Sequence, residues 1–172
     1  PVMMEAANVS TDFAEVDGAW LRVRSSEPEA AQAKTARLPV VFVHGFGSRL
    51  EAFRDLQPAL ASERRTLAYD HRGFGESERV AGAYGPDAHA DDLIALIRLA
   101  GFERVILVGH SYGGGVATKV ALREPELVAG LVLIDAFLLD RQVPQTFRWA
   151  KAPVVGELLF GAFYKEVPGE KY

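Results

Sequence analysis

The sequence predicts an α/β fold: a mostly parallel, doubly wound sheet with an antiparallel β-hairpin at its N-terminal end. Three observations predict it. Short apolar runs alternate with amphipathic helical stretches between residues 40 and 134, the pattern that βαβ units leave in a chain. The runs Val40–Val43 and Val105–Val108 are apolar throughout rather than alternating, which suits strands covered on both faces. An Asp17-Gly18 pair separates two alternating segments near the start, a strong short-range hairpin signal.

Taken in order, Thr11–Val16 and Trp20–Arg24 form the hairpin. Ser25–Arg37 is polar, rich in alanine and interrupted by Pro28, and reads as an exposed connection. Val40–Val43 is the first parallel strand. Ser48–Ala61 reads as a helix with Leu50, Phe53, Leu56 and Leu60 at helical spacing, opened by a capping box of Ser48 and Glu51. Thr66–Tyr69 is the second strand. Asp87–Ala100 is an amphipathic helix carrying Leu93, Ile94 and Ile97, closed by Gly101. Val105–Val108, the helix Tyr112–Arg123 ahead of Pro125, and the strand Leu131–Ile134 complete the series. Ligands of such sheets bind beyond the carboxyl ends of the strands, and every motif below stands at one.

Composition narrows the classes. The 172 residues, 49% of them apolar, are enough for one sizeable core. A formal net charge of -4 argues against nucleic acid as a partner, because phosphate binding wants a basic face. With no cysteine, disulfides and thiolate metal sites are excluded, and the cytoplasm is the expected compartment. Pro1–Ser10 has neither the basic nor the apolar stretch of a secretory signal. The longest apolar run, Leu127–Leu139, is broken by Asp135 and too short to span a bilayer, so no membrane partner is expected.

The residues that carry chemistry begin with Gly109-His110-Ser111-Tyr112-Gly113, a G-x-S-x-G sequence between a buried strand and a helix. A nucleophile on such a tight turn projects its hydroxyl into solvent, and the flanking glycines let neighbouring backbone pass close by. The alternative is a structural turn with Ser111 as a helix cap. His44-Gly45-Phe46-Gly47 follows the first parallel strand, and Asp70-His71-Arg72-Gly73-Phe74-Gly75-Glu76-Ser77 closes the second. The latter reads as a loop pinned by hydrogen bonds of Asp70 and Arg72, with Phe74 facing the substrate.

Four segments, VVFVHGFG (Val40–Gly47), YDHRGFGES (Tyr69–Ser77), VILVGHSYGGGVA (Val105–Ala117) and LVLIDA (Leu131–Ala136), stand in one order and spacing. Together they resemble the α/β-hydrolase superfamily, in its lid-bearing branch of small serine esterases, carbon–carbon-bond hydrolases and cofactor-free haloperoxidases. The resemblance implies a nucleophile at Ser111 and an oxyanion hole made by the backbone N–H groups of Phe46 and Tyr112. It places His44, Gly45, His110, Phe74 and Phe137 around the substrate, and implies no metal and no organic cofactor. It also sets the chain apart from epoxide hydrolases and haloalkane dehalogenases, which carry an aspartate where Ser111 stands.

In this fold the triad runs Ser, then Asp or Glu, then His. All four histidines, His44, His71, His89 and His110, precede Ser111. His44 and His71 read as makers of structural hydrogen bonds, and His89, near a helix start, as an exposed imidazole. Asp135 stands at the end of the fourth parallel strand, a position some members use for the triad carboxylate. It is the candidate acid, with a structural role as the alternative.

Residues 1–136 therefore read as the N-terminal part of the core and 137–172 as the start of a lid, with Phe137, Leu138, Leu139, Phe147, Trp149, Leu158, Leu159, Phe160, Phe163 and Tyr164 between prolines. The fold is expected to be incomplete at its C-terminal end, wanting on the order of 60 further residues in at least two β–α units. A missing C-terminal segment or a second chain would complete it. The expected function is hydrolysis of a small apolar carboxylic ester or related acyl bond. The alternatives are a non-catalytic, ligand-binding or receptor-like homologue, and a carbon–carbon-bond hydrolase or perhydrolase using the same triad.

Overall fold

The computed structural model describes residues 8–28, 37–138 and 142. Six strands among them form one sheet in the order β1-β2-β4-β3-β5-β6. The strands β1 (Asn8–Val16) and β2 (Ala19–Glu27) are antiparallel. Asp17 and Gly18, at φ of 46° and 74°, join them, as a two-residue hairpin turn with both central residues left-handed requires. Each strand runs three residues beyond its sequence estimate at its polar end, because Asn8–Ser10 and Ser25–Glu27 still pair across the ladder. Ser25 and Ser26, expected in a connection, also pair with Leu67 and Thr66 of β4.

The remaining strands, β3 (Val40–Val43), β4 (Thr66–Tyr69), β5 (Val105–His110) and β6 (Val128–Ile134), run parallel to one another. Alternate residues of β3 explain why its sequence is apolar at every position. Val41 and Val43 pack with Leu93, Ile97, Val116 and Val120 of the helices α2 (Pro86–Leu99) and α3 (Tyr112–Arg123). Val40 and Phe42 face the other way, against Leu50 and Phe53. Each such side chain stabilises the fold by about 1.5–3 kcal/mol through burial alone. The chain steps from β3 outward to β4, then crosses back to β5 on the other side of β3. The carboxyl ends of β3 and β5 thus flank the point where the winding reverses, the usual place for a ligand.

The expected helix over Ser48–Ala61 is instead a 3-10 turn, Leu50–Phe53, followed by a short α1, Leu56–Ala61. No side-chain cap bond forms at the start of the turn. The Asp70 carboxylate takes the Leu50 N–H at 2.6 Å and supplies the anchor that the capping box was expected to give. Leu56 is correspondingly exposed, and Gln57 is buried in its place. Gln57 donates to the Arg24 carbonyl at 2.8 Å and accepts from Arg24 Nε at 2.6 Å.

No helix among the described residues is long and apolar enough to cross a membrane. The chain divides into two compact units, Pro1–Ala136 and Phe137–Tyr172. Of the second, the described residues are Phe137, Leu138 and Gln142, and the Leu138 N–H donates to Gln142 Oε1 at 2.9 Å. The aromatic and apolar residues read as a lid from Leu139 onward lie outside the described residues.

Candidate active site

β5 ends at His110, α3 begins at Tyr112, and the single residue between them is strained. Ser111 has φ 51° and ψ -119°, a positive-φ conformation of a kind that costs an L-residue on the order of 1–3 kcal/mol. Two bonds hold it there: the Ser111 N–H donates to the Ile134 carbonyl at 2.8 Å, and its own carbonyl accepts from the Gly114 N–H at 3.0 Å. Strain that the surroundings maintain in this way concentrates at functional positions. Ser111 occupies the N-cap position of α3, yet its hydroxyl makes no capping bond.

The glycines around Ser111 are there for close approach. A Cβ on Gly113 would lie 2.2 Å from the Val43 carbonyl oxygen and 2.4 Å from that of His44, so α3 begins directly against the end of β3. Gly45 completes the contact from the other side: a Cβ there would come within 3.2 Å of Ser111 Cβ and 3.0 Å of His110 Nδ1. The backbone that leads into Phe46 is thereby packed on the serine turn. The Phe46 ring meets those of Tyr112 and Phe74 edge-on, with centroids 6.1 and 5.4 Å apart. As the first residue of α3, Tyr112 has a main-chain N–H with no acceptor inside the helix.

Beneath these loops lies a buried set of three histidines. His44 donates from Nδ1 to the Gly45 carbonyl at 2.8 Å and accepts at Nε2 from the His71 N–H at 3.0 Å. His71 returns a bond from Nε2 to the His44 carbonyl at 3.1 Å, and its Nδ1 pairs with the Tyr69 hydroxyl at 3.2 Å. The His71 ring stacks on that of His89, centroids 4.7 Å apart. His89 Nδ1 pairs with the Tyr112 hydroxyl at 2.7 Å. Burial drives all three imidazoles toward the neutral form: His44 and His89 are lowered to about 4, and His71 well below its ordinary value. The exposed imidazole expected at position 89 is therefore only 2% exposed. His89, in the first turn of α2, faces Tyr112 of α3 rather than solvent.

The Asp70 loop is held as its sequence suggested, with one partner that was not foreseen. The Asp70 carboxylate accepts from the N–H groups of Leu50 and Glu76 at 2.6 and 2.9 Å, while Ser77 Oγ donates to the Asp70 carbonyl at 2.7 Å. Burial raises the Asp70 carboxyl, and the two N–H bonds oppose that rise. Arg72 reaches out of the loop to α2, where its Nε donates to Asp92 Oδ2 at 2.6 Å and its Nη2 to Oδ1. This two-pronged pair, buried on the Asp92 side, fastens the loop to the helix that carries His89.

The structure brings Gly45, His110, Ser111 and Tyr112 together, with Phe46 and Phe74 beside them. His44 lies wholly inside. Asp135 follows Ile134, whose carbonyl holds the Ser111 N–H. It is exposed and has φ 46°, so it mirrors the strained serine at the end of the adjacent strand. Phe137 opens the second unit and is exposed.

The alpha/beta hydrolase fold family matches residues 39–164, more than half of the chain. The chain belongs to that family. Among the relatives of this alpha/beta hydrolase fold protein is 2-hydroxymuconate semialdehyde hydrolase of Pseudomonas sp. (strain CF600), 41% identical over 105 residues, or 59% of this chain and 37% of the relative. Another is (lyso)-N-acylphosphatidylethanolamine lipase of Mus musculus, 34% identical over 126 residues, or 67% of this chain and 37% of the relative. The crystal structure of Cfl2 from Burkholderia cenocepacia superposes with a TM-score of 0.79 at 25% identity, covering 96% of this chain and 58% of that one. The chain spans about a third of the length of the curated relatives it matches.

Sequence reasoning missed two residues of this hydrolase-fold site, His89 and Asp92. The signal for His89 was present: it stands four residues before Leu93 and seven before Leu96, on the apolar stripe that faces the core. Asp92 has no such signal, because its burial depends on an arginine twenty residues away.

Proposed function

We propose that the whole protein is a serine hydrolase that cleaves a small, mostly apolar carboxylic ester or related acyl bond. The observation that carries this reading is Ser111 itself. Its backbone is held in a costly conformation at the reversal point of the sheet, and its hydroxyl is not used to cap the helix. Ser111 attacks the carbonyl carbon, and the N–H groups of Phe46 and Tyr112 receive the developing oxyanion. The alcohol leaves with a proton, and water then releases the acid from the acyl-enzyme. His44, His71 and His89 are buried and kept neutral among one another, so the base that takes the serine proton is assigned to none of them. Asp135 is the candidate acid within these residues.

The similarity to a protein named as a lipase supports the ester reading. A second reading is favoured by the 41% identity to 2-hydroxymuconate semialdehyde hydrolase: the same serine acting on an activated carbonyl compound of that kind. Both need an activated Ser111. A fluorophosphonate, which reacts with activated serines, is expected to place one adduct on the peptide containing Ser111 in the full-length protein. No adduct, or an adduct on another serine, would sink both readings.

A further inference from the structure

The Tyr112 side chain is tied down more firmly than a residue contributing only its backbone requires. Its hydroxyl lies 2.7 Å from His89 Nδ1, and its ring stands edge-on to those of His89 and His71, centroids 5.7 and 5.8 Å away. Burial raises the phenol and lowers the imidazole, so both groups stay neutral and the hydrogen bond between them persists. His89 in turn stacks on His71, His71 exchanges two bonds with His44, and His44 ends on the Gly45 carbonyl. One buried ladder therefore runs from Tyr112, on one side of Ser111, to Gly45, which packs on its other side.

We propose that His89 is a positioning residue for the oxyanion site: by hydrogen-bonding the Tyr112 hydroxyl, it fixes where the Tyr112 main-chain N–H points. The inference rests on the reading of Ser111 and Tyr112 given above. An imidazole buried on the core side of α2 is costly without a partner, and the partner it has is the residue next to the nucleophile. A donor aimed at the oxyanion stabilises the transition state more than the bound ester, so loosening it lowers kcat and leaves KM in place.

The test uses the full-length protein with p-nitrophenyl acetate as the probe, in the variants His89→Phe, Tyr112→Phe, their double and Ser111→Ala. His89→Phe keeps a ring for stacking and removes the nitrogen that bonds the hydroxyl; Tyr112→Phe removes one hydroxyl, so it reports even where His89→Phe fails to fold. Each single variant is expected to lose about tenfold in kcat with KM nearly unchanged, a smaller loss than deleting an oxyanion donor outright. The double should fall no further than the worse single. Wild-type kcat in Tyr112→Phe, or a loss confined to KM, overturns the inference while leaving the reading of Ser111 intact. Undiminished turnover in Ser111→Ala overturns that reading and the inference with it.

Discussion

Ser111→Ala in the full-length protein is expected to lower kcat/KM for a small activated ester by about four to six powers of ten, at nearly unchanged melting temperature. The substitution removes one oxygen that does not cap α3 and keeps a side chain that bears the same backbone strain at φ 51°. The bonds that hold the turn, from Ser111 N–H to Ile134 and from Gly114 N–H to Ser111, are main-chain bonds and survive. Under the proposed mechanism, the oxyanion site without a nucleophile would leave only catalysis smaller by orders of magnitude. Steady-state kinetics beside a thermal melt separates the outcomes. A variant that keeps more than about one-hundredth of the wild-type rate while still folded would remove Ser111 from the chemistry.

The second large effect is acid lability. His44 and His89 are lowered to about 4 in the folded protein against 6.5 when free, and His71 is lowered well below its ordinary value, in each case chiefly because burial disfavours the imidazolium. Above pH 6.5 both the folded and unfolded chains hold these rings neutral, and they contribute nothing to the pH dependence. As the pH falls from 6.5 toward 4, the unfolded chain binds protons that the folded chain refuses, so stability is lost through that window. A fall from 6.5 to about 4 is worth about 3 kcal/mol for each of His44 and His89, at roughly 1.4 kcal/mol per pH unit. The Asp70 and Asp92 carboxyls, raised by burial, take up protons more readily when folded and oppose the loss toward its acid end. The melting temperature at pH 5 is expected to lie at least about 10 °C below that at pH 7.5. Equal melting temperatures at the two values would contradict the buried, neutral state of these rings.

Much of this architecture could be read from residue patterns, and the exceptions share a physical cause. The bounds of β3, β4 and α3 follow from short, largely apolar runs and from Pro125, signals local to each segment. The segment 48–61 departs from the single helix its spacing suggests because its anchor is not local. Asp70, twenty residues further on, takes the Leu50 N–H that a capping box would otherwise serve. β2 extends past its sequence estimate for a similar reason, since Ser25 and Ser26 are strand residues only because β1 and β4 lie alongside. At the site, the glycine spacing around Ser111 announces the turn, but not which groups sit beneath it. His44, His71 and His89 are scattered over 46 positions, and their stacking depends on how α2 settles against the sheet. His89 could have been recognised as inward-facing from its spacing to Leu93 and Leu96, but not as the partner of Tyr112.

The most direct test of an acyl-enzyme at Ser111 is to catch it. The full-length protein, mixed with p-nitrophenyl acetate and quenched in acid during the first turnovers, would be digested and its peptides weighed. An acetyl group on the peptide that contains Ser111, absent from Ser111→Ala, is the result the account predicts. Undiminished turnover with that peptide unmodified, or the acetyl group on a different residue, would contradict it.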